Sequence, residues 1–160
     1  MVERAEQNVK NVYPLSPMQE GMLFHFLADR NSTAYFQQIS WRICGDFDEA
    51  LFETCWNELV RRHDILRTLF VYTNTDRPLQ VVLKERKIHI HSEDLRALGN
   101  EARDMFIRRF KADDRVKTFD LSRDILLRVS TLRLGESDHE VLISHHHIIM
   151  DGWSMGVLVR

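Results

Sequence analysis

The stretch "SHHHIIMDGWS", Ser144 to Ser154, sets three consecutive histidines, an aspartate and a glycine within eleven residues. An imidazole titrates near neutral pH, so such a group can move a proton or orient an incoming amine. Converging imidazoles can instead bind a metal ion, and a histidine with one or two hydrogen-bond partners can simply be packed in a core.

The apolar residues before the run, "EVLI", read as a strand, on which side chains alternate between faces. His145 and His147 then share one face, Ser144 and His146 the other. Three adjacent histidines on a strand do not form one triad. A metal reading has His145 and His147, with Asp151 as a third donor, but neither HExxH nor CxxC accompanies them. The packed reading suits His145 best and His146 next. A nucleophilic triad lacks its nucleophile, because there is no GxSxG and the two cysteines lie far from His147 in sequence. If His147 acts, it acts on a nucleophile that arrives from outside.

Elements on either side must place this run. Upstream, "EVLISHHHI" pairs with "ILLRVSTLRL" around the turn "GESD" as an antiparallel hairpin. Downstream, Asp151 and Gly152 open a helix, whose first N–H groups lack intrahelical partners. Nearer the start, Ser16, Pro17 and Gln19 spell a capping box for a helix in which Met18, Met22 and Phe26 recur at helical spacing with Leu23 beside them. "AYFQQISWRICG" reads as a strand ending at Gly45. Asp48 caps a second helix with an apolar stripe of Leu51, Phe52, Cys55, Trp56, Leu59 and Val60. "LRTLFVY" and "LQVVL" form a strand pair around "TNTDRP", with "KIHIH" a short third strand. Residues 101 to 111 suit a third helix with Met105, Phe106 and Phe110 turned inward.

A chain of 160 residues fits one domain. It is 44% hydrophobic and 29% charged, which is an ordinary globular composition, and its net charge of −2 leaves no basic footprint for nucleic acid. Cys44 and Cys55 make neither a disulfide framework nor a redox or zinc pair, and their apolar neighbours predict buried thiols. The charged start "MVERAEQNVK" lacks the apolar core of a secretory signal, and no apolar run reaches the ~20 residues that span a bilayer. A cytoplasmic chain is the expectation. The closing "WSMGVLVR" begins an amphipathic helix with no stop signal, so the chain is expected to be a fragment.

"HHIIMDG", His146 to Gly152, resembles the HHxxxDG motif of condensation domains in nonribosomal peptide synthetases. "YPLSPMQEGMLFH" is similar to that family's opening motif, and "GDFDEALFETCWNELVRRHDILRTLF" to its second, which carries RHxxLRTxF. "FDLSRDILLR" resembles FDLxxxPLLR, with Ile125 where proline is usual. The resemblance runs in order over residues 12 to 160. It implies an α/β fold of the α+β sandwich kind, a chloramphenicol acetyltransferase-like lobe in which helices pack on a mixed sheet. It further implies that residues 1 to 160 are the N-terminal lobe of a condensation domain, without the C-terminal lobe.

By that resemblance, the reaction joins a donor aminoacyl or peptidyl thioester to the α-amine of an acceptor aminoacyl thioester. Both would hang from carrier proteins on 4'-phosphopantetheine arms, so the partners are donor and acceptor carrier domains and the second lobe, and no cofactor is bound by this lobe itself. His147 and Gly152 become the catalytic candidates: His147 as base or amine-positioning group, Gly152 as the place where main-chain N–H groups approach the thioester oxygen. His146, Asp151, Arg62 and Arg67 become the structural support. The family's aspartate pairs with an arginine, and Arg62 and Arg67 are the candidates here, so loss of a partly buried Asp151 pair should harm folding.

Three other classes stand beside this reading: an acyltransferase of the same fold, an epimerization or cyclization variant within the family, and a non-enzymatic lobe. A coenzyme A-dependent acyltransferase of the same fold would share HxxxDG but not the opening and arginine motifs. An epimerization-type domain is disfavoured by the "SPMQEGMLFH" opening, and a cyclization domain by the absence of DxxxxD. A non-enzymatic docking lobe is the last.

Overall fold

The computed structural model describes residues 8–29 and 32–158. Two sheets and four α-helices make up the fold of the described residues. A three-stranded antiparallel sheet has the order β1-β4-β3, from β1 (Val9–Pro14), β3 (Thr68–Val71) and β4 (Leu79–Leu83). A four-stranded mixed sheet has the order β2-β7-β6-β5, from β2 (Phe36–Cys44), β5 (His91–Asp94), β6 (Leu127–Arg133) and β7 (Asp138–His146). In it β7 lies antiparallel to both β2 and β6, while β5 joins β6 in parallel.

Three of the helices start where side chains relieve their orphan N–H groups. Helix α1 (Pro17–Ala28) has the complete capping box: Gln19 N–H donates to Ser16 Oγ at 3.3 Å, and Ser16 N–H to Gln19 Oε1 at 2.9 Å. Asp48 Oδ1 accepts the Leu51 N–H at 2.9 Å and starts α2 (Glu49–Arg62). Helix α4 (Gly152–Leu158) is capped by Asp151. The longest, α3 (Asn100–Val116), begins after Gly99 without a side-chain cap. A 3₁₀ turn, Asp64–Arg67, links α2 to β3.

The main core gathers Leu23 of α1, Trp56 and Val60 of α2, Phe70 of β3, and Leu127, Val129, Val141 and Ile143 of the larger sheet. A smaller cluster of Leu95, Ile107, Leu132 and Leu134 packs against Phe106 and Phe110. The two inner strands β6 and β7 are almost wholly buried, although only Leu127, Val129 and Leu132 of the one and Val141, Leu142 and Ile143 of the other are apolar.

Several expectations need correction. Cys44 and Cys55 are both exposed free thiols, because Cys44 ends the edge strand β2 and the buried face of α2 is narrowed to Trp56 and Val60. Leu51 and Met105 also face outward, Met105 with 59% of its surface accessible. Helix α3 runs to Val116 rather than 111, because Asp114 is drawn inward by Arg128. "KIHIH" is not a third strand of the β3–β4 pair. Asn57 takes both main-chain groups of Ile88, Glu53 takes the Ile90 N–H, and the strand begins at His91 in the other sheet.

Candidate active site

The histidine run leaves the middle of the larger sheet. His145 lies opposite Gln37 of β2 and Leu127 of β6. The ladder extends past the strand: His146 N–H donates to Leu126 O at 3.1 Å and His147 N–H to Tyr35 O at 2.8 Å. The chain then turns, with Ile149 N–H donating back to His146 O at 3.2 Å. Ile148, Ile149 and Met150 are buried, so the apolar middle of "HHIIMDG" anchors the turn in the core.

The three rings differ in environment. His145 is 3% exposed and its Nδ1 has no partner. His146 is 6% exposed, its Nδ1 accepts the Ile148 N–H at 3.1 Å, and its ring packs edge-on to Phe26 and beside Tyr35. Burial pushes both rings down to about 4, with the charge of His147 adding to the effect. They are neutral at neutral pH.

His147 is the one ring of the three left half-exposed. Its Nδ1 lies 2.9 Å from the Met150 carbonyl, which can only accept, so that nitrogen carries a proton. In the neutral ring the lone pair therefore resides on Nε2. A half-exposed imidazole with a fixed tautomer, and with no partner at Nε2 among the described residues, can accept a proton from a nucleophile.

Asp151 stands elsewhere than expected. It is exposed, and its Oδ1 accepts both the Ser154 N–H and the Ser154 hydroxyl at 2.8 Å. Those bonds hold its carboxyl below the usual range. Arg67 is 4% exposed and donates instead to the carbonyls of Val60, Arg61, Leu83 and Lys84 and to Asp64 Oδ1. Arg62 is exposed on the last turn of α2. The arginine pairing expected for Asp151 is thus not formed among the described residues, because Asp151 accepts from Ser154 and Arg67 is engaged by five other acceptors. Gly152 is exposed, and a side chain there would meet nothing within 4 Å.

Two features escaped the sequence. Gln19, whose Oε1 serves the capping box, also donates from Nε2 to the Ile148 carbonyl at 3.3 Å across 129 residues of chain. A second network reaches Ser144, the residue before the histidine run. Asp114 accepts from Arg128 Nε at 2.9 Å, Gln38 Nε2 at 2.9 Å and Ser144 Oγ at 2.5 Å. A groove of about 1470 Å³ between α2 and residues 84–92 does not include His147 in its lining. Its walls offer opposed carboxylates and cations rather than a lone reactive group. No group of three or more His, Cys, Asp or Glu side chains among the described residues could hold a metal ion.

The model of the condensation-domain family matches residues 9–160. The chain belongs to that family. Among curated relatives, surfactin synthase subunit 2 of Bacillus subtilis is 44% identical over 98% of this chain, and tyrocidine synthase 3 of Brevibacillus parabrevis 41% identical over 98%. The chain spans 4% and 2% of the length of those two proteins. Of solved condensation domains, the starter domain of rhizomide synthetase RzmA superposes with a TM-score of 0.83 at 20% identity, over 94% of this chain and 37% of that one. The first condensation domain of the calcium-dependent antibiotic synthetase gives 0.82 at 20% identity, over 94% and 38%. These likenesses show the expected fold, a chloramphenicol acetyltransferase-like arrangement with helices packed on a mixed sheet.

Proposed function

We propose that this chain is the N-terminal lobe of a condensation domain that forms amide bonds in nonribosomal peptide synthesis, with His147 as its acting imidazole. One observation carries this reading: the ring of His147 holds its Nδ1 proton on Met150 O, while its Nε2 has no hydrogen-bond partner among the described residues at a part-buried strand exit.

The acceptor is an α-amine on a carrier-bound thioester, and such amines titrate at about 7.7 to 8.0, so a neutral fraction exists near pH 7. Nε2 accepts a hydrogen bond from that amine and aligns its lone pair with the donor thioester carbon. The N–C bond forms and gives a zwitterionic tetrahedral intermediate. Nε2 takes the ammonium proton, the C–S bond breaks, and the proton passes to the departing pantetheine thiolate. Orientation supplies much of the rate by converting a bimolecular encounter into a positioned one. Gly152, lacking a side chain, leaves the main chain open to the thioester oxygen.

A second lobe completes the site. Phe24 and Leu27 on α1, and Trp153 and Val157 on α4, are exposed, Trp153 to 89%. Exposed apolar groups of this size mark surfaces that another body covers. Coverage of 37% of the RzmA starter domain is in keeping with a chain that supplies one lobe of two.

The test is reconstitution. The lobe joined to its C-terminal half, with two aminoacyl-loaded carrier proteins, should yield dipeptidyl thioester. His147→Ala should cut the yield on the order of 10²- to 10⁴-fold, the usual contribution of a positioned proton-transfer group. Equal yield from that variant would refute the assignment.

A further inference from the structure

The turn that carries His147 is held from two sides. From within, His146 Nδ1 accepts the Ile148 N–H at 3.1 Å. From α1, Gln19 Nε2 donates to the Ile148 carbonyl at 3.3 Å. Both main-chain groups of the residue after His147 are therefore claimed by side chains, and the peptide that follows the ring is fixed in orientation.

The direction of the Gln19 amide is dictated by its neighbours. Ser16 N–H is a donor, so it must meet Gln19 Oε1, at 2.9 Å. The carbonyl of Ile148 only accepts, so it must meet the NH₂ group. Gln80 agrees: its Nε2 donates to Pro14 O at 3.0 Å, which turns its Oε1 toward Gln19 Nε2 at 3.4 Å. One amide thus joins the start of α1, strand β4 and the histidine turn.

We propose that Gln19 is a positioning residue for His147, holding the Ile148 peptide by its side-chain amide and thereby the turn that presents Met150 O to the His147 ring. The consequence is a fixed tautomer rather than a fixed fold, and it rests on the reading of His147 as the acting imidazole. Loss of the Gln19 donor frees the Ile148 peptide to rotate. The carbonyl of Met150, two residues on, then loses its register with Nδ1, and the proton distributes over both ring nitrogens.

The two tasks of Gln19 can be separated by one isosteric change. Gln19→Glu keeps an acceptor for Ser16 N–H, the ordinary form of a capping box, but replaces the donor with a carboxylate oxygen that opposes Ile148 O and Gln80 Oε1. Ser16→Ala does the converse, removing the hydroxyl from the cap while leaving the link to Ile148. The readouts are imidazole ¹⁵N shifts and thermal melting of the 160-residue chain, and dipeptidyl thioester formation by the domain completed with its second lobe. Gln19→Glu should melt like the parent, lose the distinct protonated Nδ1 signal of His147, and form product at least ~10-fold more slowly. Ser16→Ala should melt earlier and keep both the signal and the rate. A Gln19→Glu protein with the parental Nδ1 signal overturns the proposal, whatever its rate. A shifted signal with an unchanged rate upholds the positioning role of Gln19 and instead refutes His147 as the acting group.

Discussion

His146 and His147, neighbours in the chain, use the same ring atom in opposite senses. His146 Nδ1 accepts the Ile148 N–H at 3.1 Å, whereas His147 Nδ1 lies 2.9 Å from the Met150 carbonyl and donates to it. Neutral His146 therefore carries its proton on Nε2, and neutral His147 on Nδ1. Long-range ¹H–¹⁵N spectra of the neutral rings should show them as opposite tautomers. Identical tautomers would mean that the turn between Ile148 and Met150 is built differently.

The fates of Asp151 and Arg67 make a second contrast. Asp151→Asn retains an acceptor for the Ser154 N–H at an exposed position, so the chain should melt as the parent does. Arg67→Ala strands four main-chain carbonyls around a buried site and should cost about 3 to 5 kcal/mol. Arg67→Lys should recover little of that, because an ammonium cannot reproduce the guanidinium fork. Urea unfolding of the three variants measures the difference, and strong destabilisation by Asp151→Asn alone would restore the buried-pair expectation.

Asp114 gathers Arg128, Gln38 and Ser144, the residue just before the histidines. Arg128 also lies over the ring of Phe119 at 4.1 Å. Asp114→Ala leaves a largely desolvated guanidinium unpaired and should cost about 3 kcal/mol or more. The joint variant Asp114→Ala with Arg128→Met should recover part of the loss, since an apolar pair of similar volume removes the stranded charge. A double-mutant cycle in urea tests this, with additive costs as the contrary result.

The sequence announced those parts of the fold that rest on local chemistry. Ser16 with Gln19, Asp48 before α2, and the β6–β7 hairpin are all stated by neighbouring residues and were readable as such. The alternation that separates His145 from His146 was equally plain. What stayed hidden depends on contacts distant in sequence. Nothing near Gln19 says that its amide reaches Ile148, and nothing near Ile88 says that Asn57 will capture its main chain. Arg67 failed in the other direction. A motif suggested a distant partner in Asp151, while the 3₁₀ turn placed carbonyls and Asp64 within reach first.

The last prediction concerns acid. His145 and His146 hold values near 4 in the fold, against the usual 6.5, chiefly because burial penalises the charged ring. At these two rings the unfolded chain then binds more protons than the folded one between about pH 6.5 and 4. The stability due to keeping these rings neutral is fully present above that value and declines as the pH falls toward 4. On the order of 2 to 3 kcal/mol per ring is lost across this window, if each titrates independently. Urea unfolding between about pH 7.5 and 4 should show that decline. His145→Phe, which removes a buried ring nitrogen without a partner, should flatten the curve by about half. His147→Ala should change the slope only slightly, through the charge it withdraws from its two neighbours. A parental profile that stays level from about pH 6.5 to 4.5 would show that both rings accept protons in the fold, and that the strand exit is wetter than its apolar surroundings imply.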